Sequence, residues 1–166
     1  TGSKYLLTVG ERRLLIDAGM FQGEKRWREE NWAEFPIAPS SITDVLITHG
    51  HTDHVGYLPA LVKGGFSGPI HATRGPIRLG EIVLRDGGKL QENAAADAAA
   101  GGYSKHKPPQ PLYTVADVER TLPLFEAVPF DTDIDLGDGI VARWVRAGHI
   151  LGSASIHVTA PNTDVV

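Results

Sequence analysis

Apolar positions fall in short runs along this chain, and the runs predict strands toward both ends with helices between them. Tyr5 to Val9 is an apolar run, Gly10-Glu11 supplies a turn, and Arg13 to Ile16 is a second run ending at Asp17-Ala18-Gly19. That pattern predicts a hairpin. Residues 20 to 40 read as a polar connection with a short helix around Trp27 to Trp32, closed by Pro36 and Pro39. Ile42 to Thr48 predicts a short buried strand, and His54 to Val62 a helix that Gly64-Gly65 stops. Ile70 to Thr73 predicts another strand, with Thr73 placed to cap a helix from Pro76 to about Asp86.

The pattern changes at residues 87 to 111. Gly87-Gly88, an Ala-rich tract at 94 to 100, Gly101-Gly102 and Lys105-His106-Lys107-Pro108-Pro109 predict a long exposed loop in which only the Ala tract is helical. Thr114-Val115-Ala116-Asp117 reads as a capping box that starts a helix to about Leu122. From Val128 onward the reading is β: Asp138-Gly139 as a hairpin turn, strands over Ile140 to Val145 and Ala154 to Thr159, and the start of a further strand at Asp164-Val165-Val166.

Composition narrows the class. The 166 residues are one domain's worth, and 42% hydrophobic with 22% charged residues excludes a disordered chain. No apolar stretch approaches the ~20 residues of a membrane span, so no membrane partner is expected. Sixteen Lys and Arg against 20 Asp and Glu give a net charge of −4, which excludes a generally basic nucleic-acid coat but not a local groove. The chain has no cysteine, so disulfides, thiol catalysis and Cys-ligated metals are out, and a reducing, cytoplasmic setting is the expectation.

Three of the seven histidines fall within six residues, in His49-Gly50-His51-Thr52-Asp53-His54, between a predicted strand and a predicted helix. In extended chain, residues i and i+2 point the same way, which brings His49 and His51 together. As the backbone turns into the helix, Asp53 and His54 swing toward a neighbouring point. The pattern offers two imidazoles to one metal and a carboxylate with an imidazole to a second, a donor set that suits Zn²⁺ and, less well, Mn²⁺ or Fe. From composition alone such a motif arises on the order of once in a thousand chains of this kind. His149, in Gly148-His149-Ile150-Leu151-Gly152-Ser153, is the candidate third imidazole for His49 and His51, with the glycines allowing tight turns. Asp17, at a strand end, either accepts the second ring N–H of a liganding histidine or simply starts a turn. His71 and His157 lie on strands and are expected to be packed or hydrogen-bonded, and His106 has no partner in sequence. Lys105 and Lys107 are either phosphate contacts or part of a solvated loop, as short charge clusters usually are.

These residues resemble the metallo-β-lactamase superfamily: an apolar strand into His49-x-His51-x-Asp53-His54, with Asp17 before it and Gly148-His149 after it. Further segments resemble its β-CASP branch of RNA-processing nucleases, which includes RNase J and the mRNA 3′-end cleavage endonuclease. They are Thr1-Gly2-Ser3, Asp17 to Gly23, Gly56 to Leu61, Gly65 to Ile70 and Ala147 to Ala154. The resemblance covers nearly the whole chain. It implies an α/β fold, the αββα sandwich of that family, carrying a dinuclear zinc centre. His49, His51 and His149 would hold one zinc, and Asp53 and His54 the other and the catalytic chemistry, with a metal-activated hydroxide attacking the phosphodiester of single-stranded RNA. The family's bridging aspartate and later histidines have no match here, and Asp164 is not assigned that role. Residues 1–166 are therefore expected to be the N-terminal part of such a domain, cut short in its second half, with one zinc, the second site under-coordinated, and catalysis weak or absent. A second copy or an RNA-processing subunit is the expected protein partner. Two other readings stay open: an ester, lactone or thioester hydrolase, and an inactive metal-binding scaffold in an RNA-processing complex.

Overall fold

The computed structural model describes residues 2–102, 109–161 and 163–165. Two sheets face each other. The first holds β1 (Tyr5–Val9), β2 (Arg12–Ile16), β3 (Asp44–Leu46), β4 (Ile70–Ala72) and β5 (Phe125–Ala127) in that order, antiparallel at β1–β2 and parallel from β2 onward. The second is an antiparallel meander of β6 (Asp133–Gly137), β7 (Ile140–Arg146), β8 (Ala154–Ala160) and β9 (Thr163–Val165). The helices are α1 (Lys25–Glu29), α2 (Thr52–Val55), α3 (Leu58–Lys63), α4 (Arg74–Gly101) and α5 (Val115–Thr121).

Burial explains the layering. Every residue of β3 and β4 is buried, as parallel central strands covered on both faces require. Val45 and Ile70 pack with Leu58, Leu61, Leu84 and Val118 in a core between the first sheet and the helices. Leu14 and Leu46 pack with Ile140, Trp144, Ile156 and Val158 in a second core between the sheets. On β8, buried and exposed residues alternate strictly, and Ser155, His157 and Thr159 face outward. Among the described residues the architecture is thus helix, sheet, sheet, three layers of the expected four. His157 is exposed rather than packed. No helix among the described residues is long and apolar enough to cross a membrane.

The first hairpin, the β6–β7 turn at Asp138-Gly139 and the Thr114–Asp117 capping box form where the pattern predicts them. Two helix boundaries differ from the expectation. The helix read from His54 to Val62 is two helices, broken where Tyr57 N–H donates to the Ala18 carbonyl at 2.8 Å. The loop read over 87–111 is instead helix through Gly101, because α4 runs on across Gly87-Gly88. There the chain before α5 comes so close that a Cβ at Gly87 would lie 2.7 Å from the Tyr113 hydroxyl, and one at Gly88 3.2 Å from Val115 backbone. The same face donates two acceptors: Gln91 Oε1 takes the Leu112 N–H and Glu92 Oε1 the Val115 N–H, both at 3.0 Å. The pair of glycines is there for packing and does not break the helix.

A buried polar group crosses β2, β3 and β4. Arg12 Nη2 donates to Asp44 Oδ2 at 2.8 Å, and His71 Nε2 lies 3.2 Å from Asp44 Oδ1. Burial pushes the Asp44 carboxyl up, but the His71 and Thr43 hydrogen bonds and the Arg12 charge outweigh it and hold it below its ordinary value of 3.8. A carboxylate with a depressed folded-state pKa contributes stability above its unfolded pKa, and that contribution is lost as pH falls through the folded value. Asp44→Asn is expected to cost about 2 kcal/mol at neutral pH. The difference from wild type should shrink below about pH 4. Urea unfolding at both pH values checks this, and an undiminished difference in acid would contradict it.

Candidate metal centre

The site is built where β2 and β3 leave the first sheet side by side. Asp17, the residue after β2, is 2% exposed and left-handed at φ 58°. Its N–H donates to the Leu46 carbonyl at 2.9 Å, which ties it to the end of β3. Its Oδ1 accepts the Thr48 N–H at 2.8 Å, and its Oδ2 accepts the Thr48 hydroxyl at 2.8 Å and faces His54 Nδ1 at 2.6 Å. Two tautomers follow. A carboxylate only accepts, so His54 carries its proton on Nδ1 and turns Nε2 outward. The Thr48 hydroxyl has one proton, given to Asp17, so at 3.0 Å it accepts from His49 Nδ1, which leaves the His49 Nε2 lone pair free.

That nitrogen belongs to a cluster of three imidazoles. His49 Nε2 lies 3.1 Å from His51 Nδ1, and His149 Nε2 lies 3.1 Å from the same His51 nitrogen. One ligand atom from each of the three lies within 4.8 Å of the others. Tetrahedral zinc with Zn–N bonds of 2.0–2.1 Å sets its ligand nitrogens about 3.3 Å apart. The donors fit the ion: three imidazole nitrogens aimed at one point, without a carboxylate among them, repel one another unless a proton or a cation sits between them.

His149 reaches this point from the second sheet. Trp144 Nε1 donates to the Ile47 carbonyl at 3.0 Å, and Ala154 N–H donates to the Thr48 carbonyl at 2.9 Å, so β7 and β8 are fastened to the exit of β3. The loop between them closes on itself through Ala147 N–H to Ser153 O at 3.0 Å. Thr73 Oγ1 donates to Gly152 O at 2.5 Å, so this hydroxyl holds the loop and does not cap α4 as the sequence predicts. Gly152, at φ 82°, has the Pro76 ring 2.5 Å from where a Cβ would stand. Gly148, by contrast, has open space around it and no left-handed backbone, so only one of the two flanking glycines serves the turn.

Burial is the largest cause holding His49 down to about 4, with the charges of His54, His149 and His51 adding to it and Asp17 opposing. Its ring is therefore neutral at pH 7 and ready to ligate. His54 is raised, chiefly by the Asp17 hydrogen bond, against burial.

Asp53 and His54 lie beside the three-histidine group. Their rings and carboxylate are close, with His49 and His54 centroids 3.9 Å apart and His54 Nε2 3.9 Å from Asp53 Oδ2. His71 is buried against Asp44, away from this group. Lys105, His106 and Lys107 lie outside the described residues. Sequence reasoning passed over Thr48, whose hydroxyl sets the tautomer of His49; a hydroxyl residue immediately before the first histidine was the available signal.

An α/β sandwich with three histidines converging at the strand ends defines a fold that carries a candidate metal site. The chain belongs to the metallo-β-lactamase superfamily, whose family model matches residues 2–166. It is 37% identical over 156 residues to ribonuclease TTHA0252 of Thermus thermophilus, covering 94% of this chain and 32% of that protein. It is 30% identical to transcription termination factor FttA of Cenarchaeum symbiosum, over 92% of this chain and 22% of that one. Cleavage and polyadenylation specificity factor subunit 3-II of Arabidopsis thaliana is 22% identical over 97% of this chain and 25% of its own length. The chain thus spans between about a fifth and a third of the curated relatives it matches. These relatives agree with the β-CASP segments of the sequence. Among solved structures, the metallo-β-lactamase fold protein YhfI of Bacillus subtilis superposes with TM-score 0.57 at 14% identity, over 98% of this chain and 52% of that one. It shares the fold.

Proposed function

We propose that residues 1–166 are the N-terminal part of a zinc-dependent ribonuclease, in which His49, His51 and His149 hold one zinc ion. The carrying observation is the convergence of three imidazole nitrogens on one point, 3.1 Å apart in two of their pairs. Asp53 and His54 Nε2 are the donors for a second ion, completed from chain outside these residues, as the greater length of the relatives suggests. Asp17 and Thr48 are positioning residues that fix the tautomers of His54 and His49. When bound, zinc supplies a Lewis acid for a phosphodiester and lowers the pKa of water to about 7. The protein's own contribution is to hold the imidazoles neutral and aimed, and to leave His51 and His149 open to solvent where a strand of RNA can approach. RNA is favoured over small esters because the relatives named include a ribonuclease and a cleavage and polyadenylation factor subunit.

The test is elemental analysis of the purified chain followed by assays on single-stranded RNA and on a p-nitrophenyl ester, each with and without chelator. About one zinc per chain is expected, with any RNA cleavage slow and abolished by chelator. A chain that takes up no zinc, or that hydrolyses the ester while leaving RNA intact, would overturn the reading.

A further inference from the structure

Beside the metal centre lies a second feature that the roles proposed above leave unused. A cleft of about 880 Å³ opens between the first turns of α4, the end of β5 and the loop that carries His149. Arg74, Arg78 and Arg146 line it, and its lining includes no Asp or Glu. In a chain with 20 acidic residues and 16 basic ones, three cations around one carboxylate-free cleft run against the overall charge.

The arginines are available to a ligand. Arg146 lies over the Phe130 ring at 4.3 Å, so its face is used by the aromatic ring and its N–H edge remains for acceptors. The contact of Arg78 with Glu81, 3.3 Å on a side chain 81% exposed, is a surface pair of the kind that contributes little and exchanges readily. The first turn of α4 carries no acidic residue. Apart from Thr73 and Ser153 the remaining side chains of the lining are apolar, and Leu151 among them is 79% exposed. Cations for phosphates beside apolar and aromatic surface for bases are the pairing that single-stranded nucleic acid needs. Position completes the case. Arg146 is three residues before His149, so at most about 10 Å of backbone separates them. Thr73 Oγ1, donating to Gly152 O, locks the arginine-bearing end of α4 to the same loop.

Resting on the ribonuclease reading above, we infer that the cleft between α4 and the His149 loop binds the phosphates of the RNA strand next to the scissile bond, through Arg74, Arg78 and Arg146. The experiment measures fluorescence anisotropy of the zinc-loaded 166-residue chain with a labelled, cleavage-resistant 2′-O-methyl oligoribonucleotide across a salt series. R74Q/R78Q/R146Q is expected to weaken binding at least about tenfold and to flatten the log–log salt slope by about 2. A control of equal charge change outside the cleft, R85Q/R120Q/R143Q, should shift binding less than about threefold. Should the cleft variant fail to fold, R74Q/R78Q, both on the exposed start of α4, is expected to flatten the slope by about 1. If wild type binds RNA and the cleft variant binds it equally well, or the control weakens it as much, the cleft assignment falls while the nuclease reading stands. If wild type binds no RNA, both fall.

Discussion

His51→Ala is expected to abolish zinc binding and with it the thermal stabilisation that zinc confers. Both 3.1 Å contacts of the cluster run through His51 Nδ1, so its removal leaves His49 and His149 without the nitrogen that each approaches. An ion at a thousand times its dissociation constant stabilises the native state by about 4 kcal/mol, and that increment should vanish from the variant. The metal-free variant should be no less stable than metal-free wild type, since one of the three imidazoles that repel one another without a cation has gone. This sign separates loss of a ligand from loss of fold. The pH dependence follows the same chemistry. His49 is pushed down to about 4 in the folded chain, so between that value and the ordinary 6.5 the unfolded state binds more protons. The metal-free fold gains stability as pH rises through that window and loses it as pH falls. Melting curves with and without zinc, on both proteins, measure all of this. Unaltered zinc stabilisation of His51→Ala would remove His51 from the site.

Gly19→Ala is expected to be as damaging without touching a donor. A Cβ there would lie 1.6 Å from the Asp53 carbonyl oxygen and 2.1 Å from its carbon. These are backbone atoms of the segment bearing Asp53 and His54, and that segment is fixed by Ala18 N–H to His54 O at 2.7 Å and Ser3 N–H to Asp53 O at 2.9 Å. The chain must move apart, at a cost of about 3 kcal/mol or more. Displacing that segment also shifts His54 away from Asp17. Gly148→Ala, one residue from His149 but facing open space, is the matched control and should melt within about 2 °C of wild type. Equal melting temperatures for the two variants would show that the close approach at Gly19 is not needed.

The arginine cleft and the histidine cluster share the 147–153 loop, so the effects of substitutions there should be separable by ligand: histidine changes through zinc, arginine changes through salt-dependent RNA binding. The fastening of that loop to β3 and α4 is what makes the two adjacent.

Local chemistry was enough for much of this protein. Short apolar runs placed β7 and β8, Asp138-Gly139 the turn from β6 into β7, and Thr114 with Asp117 the start of α5, because each depends on neighbours within a few residues. Spacing alone paired His49 with His51. Tertiary structure decided the rest. Gly87-Gly88 reads as a break, yet the chain at Tyr113–Val115 comes so near that only glycine fits, and α4 continues. Asp17 was balanced between turn and histidine partner until β2 and β3 lay parallel and set it against Thr48 and His54. Arg74, Arg78 and Arg146 stand 72 positions apart at their extremes, and no pattern in sequence joins them. Convergence over such separations depends on how sheets and helices stack, which long-range packing sets and local periodicity does not contain.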